Sequence, residues 1–328
     1  MTHFNRREFI KTASAGAACL LTGTPVSQAK EAGSPETMVK VIYDGLSADQ
    51  RKLLCFDWDH IDGSRGLLRT RVANNWHITK PTINSEFFAR EQRQQIRAVF
   101  EGIIRPEWQE RIDKQLKDDA GGFGNSQNIA IFGKPGQGNY EMVMTGRHMT
   151  LRCDGNSAEH VAFGGPIFYG HAPRFNEKPG HPGNVYWEQA LAANKVYQML
   201  DGRQRKLAEV SKTPREQSVG FKGKDGNFQG IPVSQLSDDQ KEHVQKVLQK
   251  LIEPYRKSDQ DEVISALKKQ GGLDACHLAF FTDRDLGNDG VWDNWRLEGP
   301  SFVWHYRGAP HVHVWVNVAS DASAKLNA

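Results

Sequence analysis

The chain has 328 residues, of which 38% are hydrophobic and 25% are charged, with 31 Gly and 14 Pro. This composition is typical of a globular protein. It excludes a disordered chain, a collagen, a coiled coil and a polytopic membrane protein, because no run of about 18 apolar residues is present. The formal net charge of +3 would suit an acidic partner such as nucleic acid only if the basic residues were clustered.

Residues 1–29 have the layout of a twin-arginine export signal. Residues 5–11 place two adjacent arginines before an apolar pair and a lysine, and an Ala/Gly-rich, weakly apolar stretch follows. Residues 27–29 (SQA) offer small side chains at the two positions that a signal peptidase reads, so we expect cleavage after Ala29. The sequence thus predicts the twin-arginine export machinery as a partner and a periplasmic or secreted location. This route carries folded proteins, often with a bound cofactor.

Removal of the signal changes the charge balance. Three of the 42 basic and one of the 39 acidic residues lie in the signal, which leaves a net charge of about +1 on residues 30–328. No basic cluster remains that would follow a phosphate backbone, so nucleic-acid binding is not supported. We also expect no integral membrane segment after cleavage, and a single domain over residues 30–328.

Three cysteines remain after cleavage: Cys55, Cys153 and Cys276. An odd number in an oxidising compartment allows at most one internal disulfide, and the sequence does not say which pair would form it. Because no Cys-x-x-Cys spacing occurs, a thiol redox motif and a cysteine-rich zinc knuckle are excluded.

The predicted elements come in blocks along the chain. Capping boxes, helical spacing of apolar residues and an N-terminal proline predict the first helices, over residues 47–58, 85–104 and 106–116. Apolar segments around a Gly/Pro turn then predict an antiparallel meander, over residues 128–132, 140–145 and 147–153.

The second part of the chain opens with residues 164–184, a Gly/Pro-rich stretch that we expect to be a long irregular loop. Further helices are predicted over 186–209, from Ser237, and from the cap Ser258 to Gly271. Strands are predicted over 277–282 and 301–318. Helices and antiparallel strands in blocks indicate an α+β fold, an antiparallel sheet with a C-terminal hairpin packed against several helices.

Two hexapeptides of the chain are nearly identical. Residues 46–51 (LSADQR) and 236–241 (LSDDQK) each contain a capping box. Their similarity fits either a decayed duplication or two helix starts that converged on the same sequence.

The final hairpin carries the clearest indication of chemistry. Along residues 311–318, valine alternates with histidine, tryptophan and asparagine, so one face is apolar and the other presents imidazoles. A three-residue turn would place Arg307 opposite His311. The same register sets His305 opposite His313, so three imidazoles would share one side of the sheet. A two-residue turn would move His305 to the other side.

Imidazole nitrogens suit Zn, Cu or Fe, and a His-x-His pair on a strand supplies two ligands from one face. We therefore predict a transition-metal site formed by His311 and His313, with His148 or His305 as a further ligand. The protein would then be a metal-binding protein or a metalloenzyme, either a hydrolase or an oxidoreductase. The familiar esterase and zincin signatures are absent. Alternatively, these histidines are hydrogen-bonded parts of a semi-buried aromatic sheet.

Two other classes of function stay open. The eight tryptophans would suit a non-catalytic periplasmic binding protein whose tryptophan-lined pocket holds a small organic ligand. A structural or interaction module would bind neither a metal nor a small ligand.

Three segments, residues 129–135 (IAIFGKP), 146–151 (GRHMTL) and 165–173 (GPIFYGHAP), are similar to a bacterial family. This family is known only as a domain of unknown function, number three thousand five hundred. The resemblance covers most of the mature chain and implies an exported, uncharacterised protein in which His148, His311 and His313 match recurrent histidines. The chain departs from the family pattern after His313, where an Arg-Asp-Pro segment is usual, and at Arg147, where a second histidine is often found.

Overall fold

The computed structural model describes residues 33–285 and 289–327, so the predicted export signal lies outside the described residues. Within them the helices are α1 (Pro35–Asp44), α2 (Ala48–Leu54), α3 (Arg90–Ile103), α4 (Pro106–Ala120), α5 (Trp187–Met199), α6 (Gly202–Ala208), α7 (Asp238–Ile252) and α8 (Lys257–Lys269). None of these helices is long and apolar enough to cross a bilayer.

The strands of the described residues are β1 (Cys55–Phe56), β2 (Ile61–Asp62), β3 (Gly66–Leu67), β4 (Gln127–Gly133), β5 (Tyr140–Gly146), β6 (Met149–Cys153), β7 (Ile167–His171), β8 (Glu209–Val210), β9 (Ile231–Pro232), β10 (His277–Phe281), β11 (Asn294–Gly299), β12 (Phe302–Arg307) and β13 (Val312–Val318). Eleven of them form one sheet in the order β1-β4-β5-β6-β7-β13-β12-β11-β10-β8, with β9 against β10. Only the short strands β1 and β8 run parallel to a neighbour. The fold is therefore α+β, as predicted, and the C-terminal hairpin lies in the middle of the sheet.

The two faces of this sheet differ in polarity. On one face the valines of β13 join a large apolar core that includes residues of the long helices. The opposite face presents buried polar side chains from several strands and from the turn between β5 and β6, namely Glu141, Thr145, His148, Thr150, Arg152, Asn294, Arg296, Glu298, His305, His313 and Asn317. Parts of residues 58–79 and 213–222 cover this face, and hydrogen bonds such as Trp76 Nε1 to Thr150 Oγ1 and Asn317 Nδ2 to the Val219 carbonyl tie them to it.

Two halves of the chain repeat the same order of elements. In the first half, β1 runs parallel to β4 and is followed by α3, α4 and the meander β4 to β7. In the second half, β8 runs parallel to β10 and is followed by α7, α8 and the meander β10 to β13. The halves meet where β7 pairs with β13, with Ile167 opposite Val316.

The contacts between the halves are reciprocal. Ile104 connects α3 to α4, and Tyr255 connects α7 to α8. These two residues form an antiparallel bridge. The Arg105 N–H donates to the Pro254 carbonyl at 2.9 Å, and the Arg256 N–H donates to the Ile103 carbonyl at 3.0 Å. This exchange is what an approximate two-fold relation between the halves requires.

The two similar hexapeptides do not occupy equivalent places in this repeat. Residues 46–51 begin α2, whose counterpart is α6, whereas residues 236–241 begin α7, whose counterpart is α3. The third residue of each helix is a glutamine, and these glutamines pair within each half. The pairs are Gln50 with Gln92 and Gln204 with Gln240. The hexapeptides are thus alike because each starts a helix whose capping glutamine enters such a pair.

The prediction of a continuous irregular loop over residues 164–184 is wrong. Ile167–His171 forms β7, which lies between β6 and β13. This strand is buried on both faces, so its short apolar run does not alternate between apolar and polar residues. The sequence pattern therefore does not distinguish it from the Gly/Pro-rich residues around it.

Several helix boundaries also differ from the prediction. The helix predicted over residues 47–58 is α2 and stops at Leu54, because Cys55–Phe56 joins the sheet beside β4. The segment 186–209 is two helices, since Asp201 caps the start of α6. The last helix has Arg256 rather than Ser258 at its N-cap. Helix α4 runs beyond its predicted end at Leu116 to Ala120, which places two aspartates in its last turn.

Candidate metal centre

The β12–β13 hairpin places the predicted histidines on the polar face, but in a different register from the predicted one. Arg307 pairs with His313, and His305 pairs with Trp315, so residues 308–312 separate the last pair and the predicted three-residue turn is wrong. The shift is by two residues, which keeps every side chain on its predicted face. His305 therefore shares a face with His313 but is not directly opposite it.

His148 reaches the same face from the β5–β6 hairpin. Gly146 pairs with Met149, so Arg147 and His148 form a two-residue turn rather than the start of the predicted strand. The φ angle of His148 is 50°, a left-handed conformation that few non-glycine residues adopt. Its N–H donates to Asn75 Oδ1 at 2.9 Å, which fixes the turn.

Gly170 on β7 leaves room for the His148 ring between the strands β6 and β13. A Cβ atom at this position would lie 2.3 Å from the carbonyl oxygen of Val312 and 3.2 Å from Cδ2 of His148. Only glycine fits without displacing a neighbour, so the ring can extend across β7 toward β13.

The structure brings His148, His311 and His313 together. The Nε2 atom of His313 lies 3.2 Å from Nε2 of His148 and 2.9 Å from Nε2 of His311. The three ligand atoms all lie within 4.8 Å of one another. Nitrogen ligands about 2.0–2.1 Å from a tetrahedral ion are about 3.3–3.4 Å apart, so this spacing is suited to one shared ion.

Two carboxylates determine which ring nitrogens face the centre of this group. Asp119 Oδ2 lies 2.7 Å from Nδ1 of His148, and Glu216 Oε2 lies 3.3 Å from Nδ1 of His313. A neutral imidazole that donates from Nδ1 keeps its lone pair on Nε2. This carboxylate–histidine arrangement is the one that orients metal-binding histidines in proteins.

The ionisation states are consistent with neutral rings. Burial, assisted by the charges of neighbouring groups including Arg307, lowers the pKa of His311 and of His313 to about 4. Burial alone would raise the pKa of Glu216, but the hydrogen bond with His313 and the charge of Arg307 lower it to about 2. At neutral pH His311 and His313 are thus neutral and Glu216 is ionised, the states that metal binding requires of these groups.

The group is open to solvent on one side only. His148 is 1% exposed and His313 is 3% exposed, whereas His311 is half-buried. Arg307 borders this open side, where its guanidinium donates to Glu216 Oε1 at 3.1 Å and to the His311 carbonyl at 3.2 Å. An ion and its remaining ligands would therefore enter past His311.

His305 lies outside this group. Its ring is fully buried opposite Trp315, and its Nδ1 accepts a hydrogen bond from Arg296 Nε at 3.3 Å. Burial and then the charge of Arg296 hold its pKa well below the usual range. The structure thus unites three of the four histidines singled out in the sequence and leaves His305 beside an arginine.

Sequence reasoning missed Asp119 and Glu216. Asp118 and Asp119 lie in the last turn of α4, where negative charge is unfavourable because of the helix dipole. That conflict is a signal which could have identified Asp119. Glu216 lies in a loop and offers no comparable signal.

His171, which the sequence placed in a loop, lies at the end of β7 next to this group. Its Nδ1 is 2.6 Å from Glu177 Oε1, and its Nε2 is 2.9 Å from Asp118 Oδ2. Burial would lower the pKa of His171, but the hydrogen bonds to both carboxylates raise it. Since both nitrogens are engaged, His171 serves to hold Asp118 and the neighbouring Asp119 in place.

Comparison with known proteins gives a family but no characterised relative. No curated protein matches the chain, and no solved structure matches it. The model of the family described as "Protein of unknown function (DUF3500)" matches residues 29–318. The histidine group and the carboxylates behind it lie within that match, and the chain belongs to the DUF3500 family.

Proposed function

We propose that this protein binds a transition metal ion through His148, His311 and His313. One observation carries the proposal. The Nδ1 atoms of His148 and His313 face carboxylates, so their Nε2 lone pairs point at each other across 3.2 Å. Two acceptors at hydrogen-bond distance repel unless a cation or a proton lies between them, and a metal ion beside three converging nitrogens removes that repulsion.

The donor set favours Zn²⁺ over the other ions considered. Three imidazoles suit zinc and copper, whereas non-haem iron sites usually add a carboxylate ligand. Here Asp119 and Glu216 contact the Nδ1 atoms, so they act behind the ligands. No cysteine belongs to the group within the described residues, so the thiolate of a blue-copper site is missing.

Three protein ligands and an open side are the arrangement of catalytic rather than structural zinc sites, so we propose a metalloenzyme of hydrolytic type. A bound Zn²⁺ would supply Lewis-acid chemistry and lower the pKa of a water molecule. Asp119 and Glu216 would hold the rings in the correct tautomer. Arg307 would attract an anionic group that arrives at the open side. An oxidoreductase is the alternative, and the identity of the bound metal would decide between the two.

We propose further that the protein works after twin-arginine export, in the periplasm or outside the cell. The arginine pair and the small residues before Ala29 support this location. The family match starts at residue 29, next to the expected cleavage site. Export of the folded chain would allow the metal to be inserted before translocation.

The test is the metal content of the protein after expression with its own signal and purification without added metal. We expect about one ion per chain in the wild type and loss of the ion in His313→Ala. His77→Ala removes an exposed histidine and should keep the full content. A wild type with well under one ion per chain, or an unchanged content in His313→Ala, would contradict the proposal.

A further inference from the structure

A cavity of about 580 Å³ lies on the polar face of the sheet, away from the three histidines. Its walls come from the loops that cover this face and from β11, with Arg71, Arg215, Phe221, Lys222, Arg296 and Glu298 among the lining residues. This volume is within the range of small-molecule sites, about 300–1,000 Å³. No tryptophan lines the cavity, so it differs from the tryptophan-lined pocket considered from the sequence.

The walls of the cavity carry an excess of positive charge. Lys222 Nζ lies 2.8 Å from Glu298 Oε2, and Arg296 Nη1 lies 3.4 Å from Glu298 Oε1, so one carboxylate serves both cations. Arg71 and Arg215 also line the cavity, and among residues 33–285 and 289–327 neither forms an ion pair. Among the described lining residues, four cations thus surround one carboxylate.

Arg296 is the clearest sign of a missing partner. It is 4% exposed, its Nε donates to His305 Nδ1 at 3.3 Å, and its Nη2 is buried with no hydrogen-bond partner among the described residues. The Nε atom of Arg71 is also buried without a partner. A buried guanidinium with an unused donor is unfavourable, and a carboxylate or phosphate would provide the acceptor geometry that it fits.

The remaining wall is apolar. Val72 and Phe221 belong to a small cluster that includes Trp315, and Pro214 lines the cavity beside them. We propose that this cavity binds an organic anion. Its carboxylate or phosphate group would contact Arg296 and Arg71, and its apolar body would lie against Phe221 and Pro214.

The anion site is distinct from the histidine group but shares a loop with it. Arg296 pairs with His305, which pairs with Trp315 on β13, so one strand separates β11 from the strand of His313. Arg215 lines the cavity, and the next residue, Glu216, contacts His313. The proposal does not depend on metal binding.

The experiment is a calorimetric titration of the full chain at constant ionic strength with phenyl phosphate, benzoate and inorganic phosphate. We expect one saturable site for phenyl phosphate or benzoate, with phenyl phosphate bound more tightly than inorganic phosphate. Arg296→Gln should weaken binding about tenfold or more. Arg203→Gln, an exposed change of equal charge on α6, should leave the affinity unchanged.

Two further variants keep the test decisive if Arg296→Gln fails to fold. Arg71→Gln and Arg215→Gln alter a half-buried and an exposed arginine, and each should weaken binding several-fold. Absence of saturable binding for all three probes, or affinities unchanged in these variants, would overturn the proposal.

The same titration of chelator-treated protein separates this site from the metal centre. We expect the anion affinity to be unchanged by chelation, because the cavity is lined by none of the three histidines. Binding that disappears on chelation would place the anion on the metal and overturn the proposal. An absent metal with intact anion binding would contradict only the proposed function.

Discussion

Each half of the molecule has a two-residue turn at the same place in its meander, which we call the corner. The polar side chains around the two corners differ. In the first half, Gly146 and Met149 enclose a two-residue turn that ends in His148, and in the second half Gly299 and Phe302 enclose a two-residue turn that ends in Ser301. One polar side chain lies behind each turn. It is Asp119 of α4 in the first half and Gln270, the residue that follows α8, in the second.

Each of these two side chains accepts a hydrogen bond from a backbone N–H group. Asp119 accepts the Ala172 N–H at 2.8 Å and contacts His148 Nδ1. Gln270 accepts the Ser301 N–H at 2.8 Å and donates to the Ala319 carbonyl at 3.2 Å. The second half shows that the corner can be satisfied by neutral groups. The first half has a carboxylate and an imidazole where the second half has neutral groups, a difference that agrees with the proposed metal centre.

The largest expected effect comes from giving the first corner the side chain of the second. His148→Ser removes one of the three proposed ligands and introduces the residue that ends the turn in the second half. We expect Zn²⁺ affinity, measured by competition with a chromophoric chelator, to fall about 100-fold or more. Ser301→Ala is the matched control and should leave the affinity within about twofold, since Ser301 is not a ligand in this account. Equal Zn²⁺ affinities in wild type and His148→Ser would show that His148 is not a ligand.

A smaller effect is expected when the carboxylate behind the ligand is neutralised. Asp119→Asn keeps the shape of the side chain but weakens its hold on the His148 tautomer. We expect Zn²⁺ affinity to fall about 10- to 100-fold, with little change in far-UV circular dichroism. Glu216→Gln should lower the Zn²⁺ affinity by a smaller factor. The Glu216 oxygen lies 3.3 Å from His313 Nδ1, whereas the Asp119 oxygen lies 2.7 Å from His148 Nδ1. The reverse order of the two losses would contradict the geometry.

Gly170 provides a test of the packing that admits the His148 ring. A methyl group at this position would lie 2.3 Å from the Val312 carbonyl oxygen, so the backbone must move. We expect Gly170→Ala to lower the free energy of unfolding by about 1–3 kcal/mol, measured by urea denaturation. In the second half the position equivalent to Gly170 is Ala319, since each residue follows the strand residue that pairs with Met149 or Phe302. The second half has no histidine ring to accommodate there. A Gly170→Ala variant as stable as wild type would show that the site has more room than described.

The smallest effects on Zn²⁺ affinity are expected for the glutamine pairs, which are present in both halves. Gln92 and Gln240 each cap a helix and pair with a second glutamine in the same half. We expect Gln92→Ala and Gln240→Ala each to cost about 1–2 kcal/mol of unfolding free energy, with Zn²⁺ affinity unchanged. Urea denaturation of both variants would check this. A large difference between the two losses would argue against an equivalent role in the two halves.

The fold class and the meander were predictable because local signals agree there. Capping boxes and the alternation in residues 311–318 depend only on neighbours in sequence. The strand β7 was not predictable, since a strand buried on both faces has no alternation. The repeat was also hidden, because the two similar hexapeptides lie at non-equivalent helix starts.

All four candidate histidines were named from the sequence, and the structure brings three of them together, but the way these three meet could not be predicted. Strand alternation predicted the shared face of His311 and His313. The turn length set the neighbour of His305, and that length is decided by the tertiary packing of the hairpin. Asp119 and Glu216 contact the histidines across 29 and 97 residues of sequence, which no local pattern reports.

X-ray absorption spectroscopy at the metal edge, on protein purified after expression with its own signal, tests the histidine centre most directly. We expect about three imidazole nitrogens about 2.0–2.1 Å from a single bound ion, and loss of this nitrogen shell in His313→Ala. A first shell made of sulfur or of oxygen alone, or a nitrogen shell unchanged in His313→Ala, would contradict it.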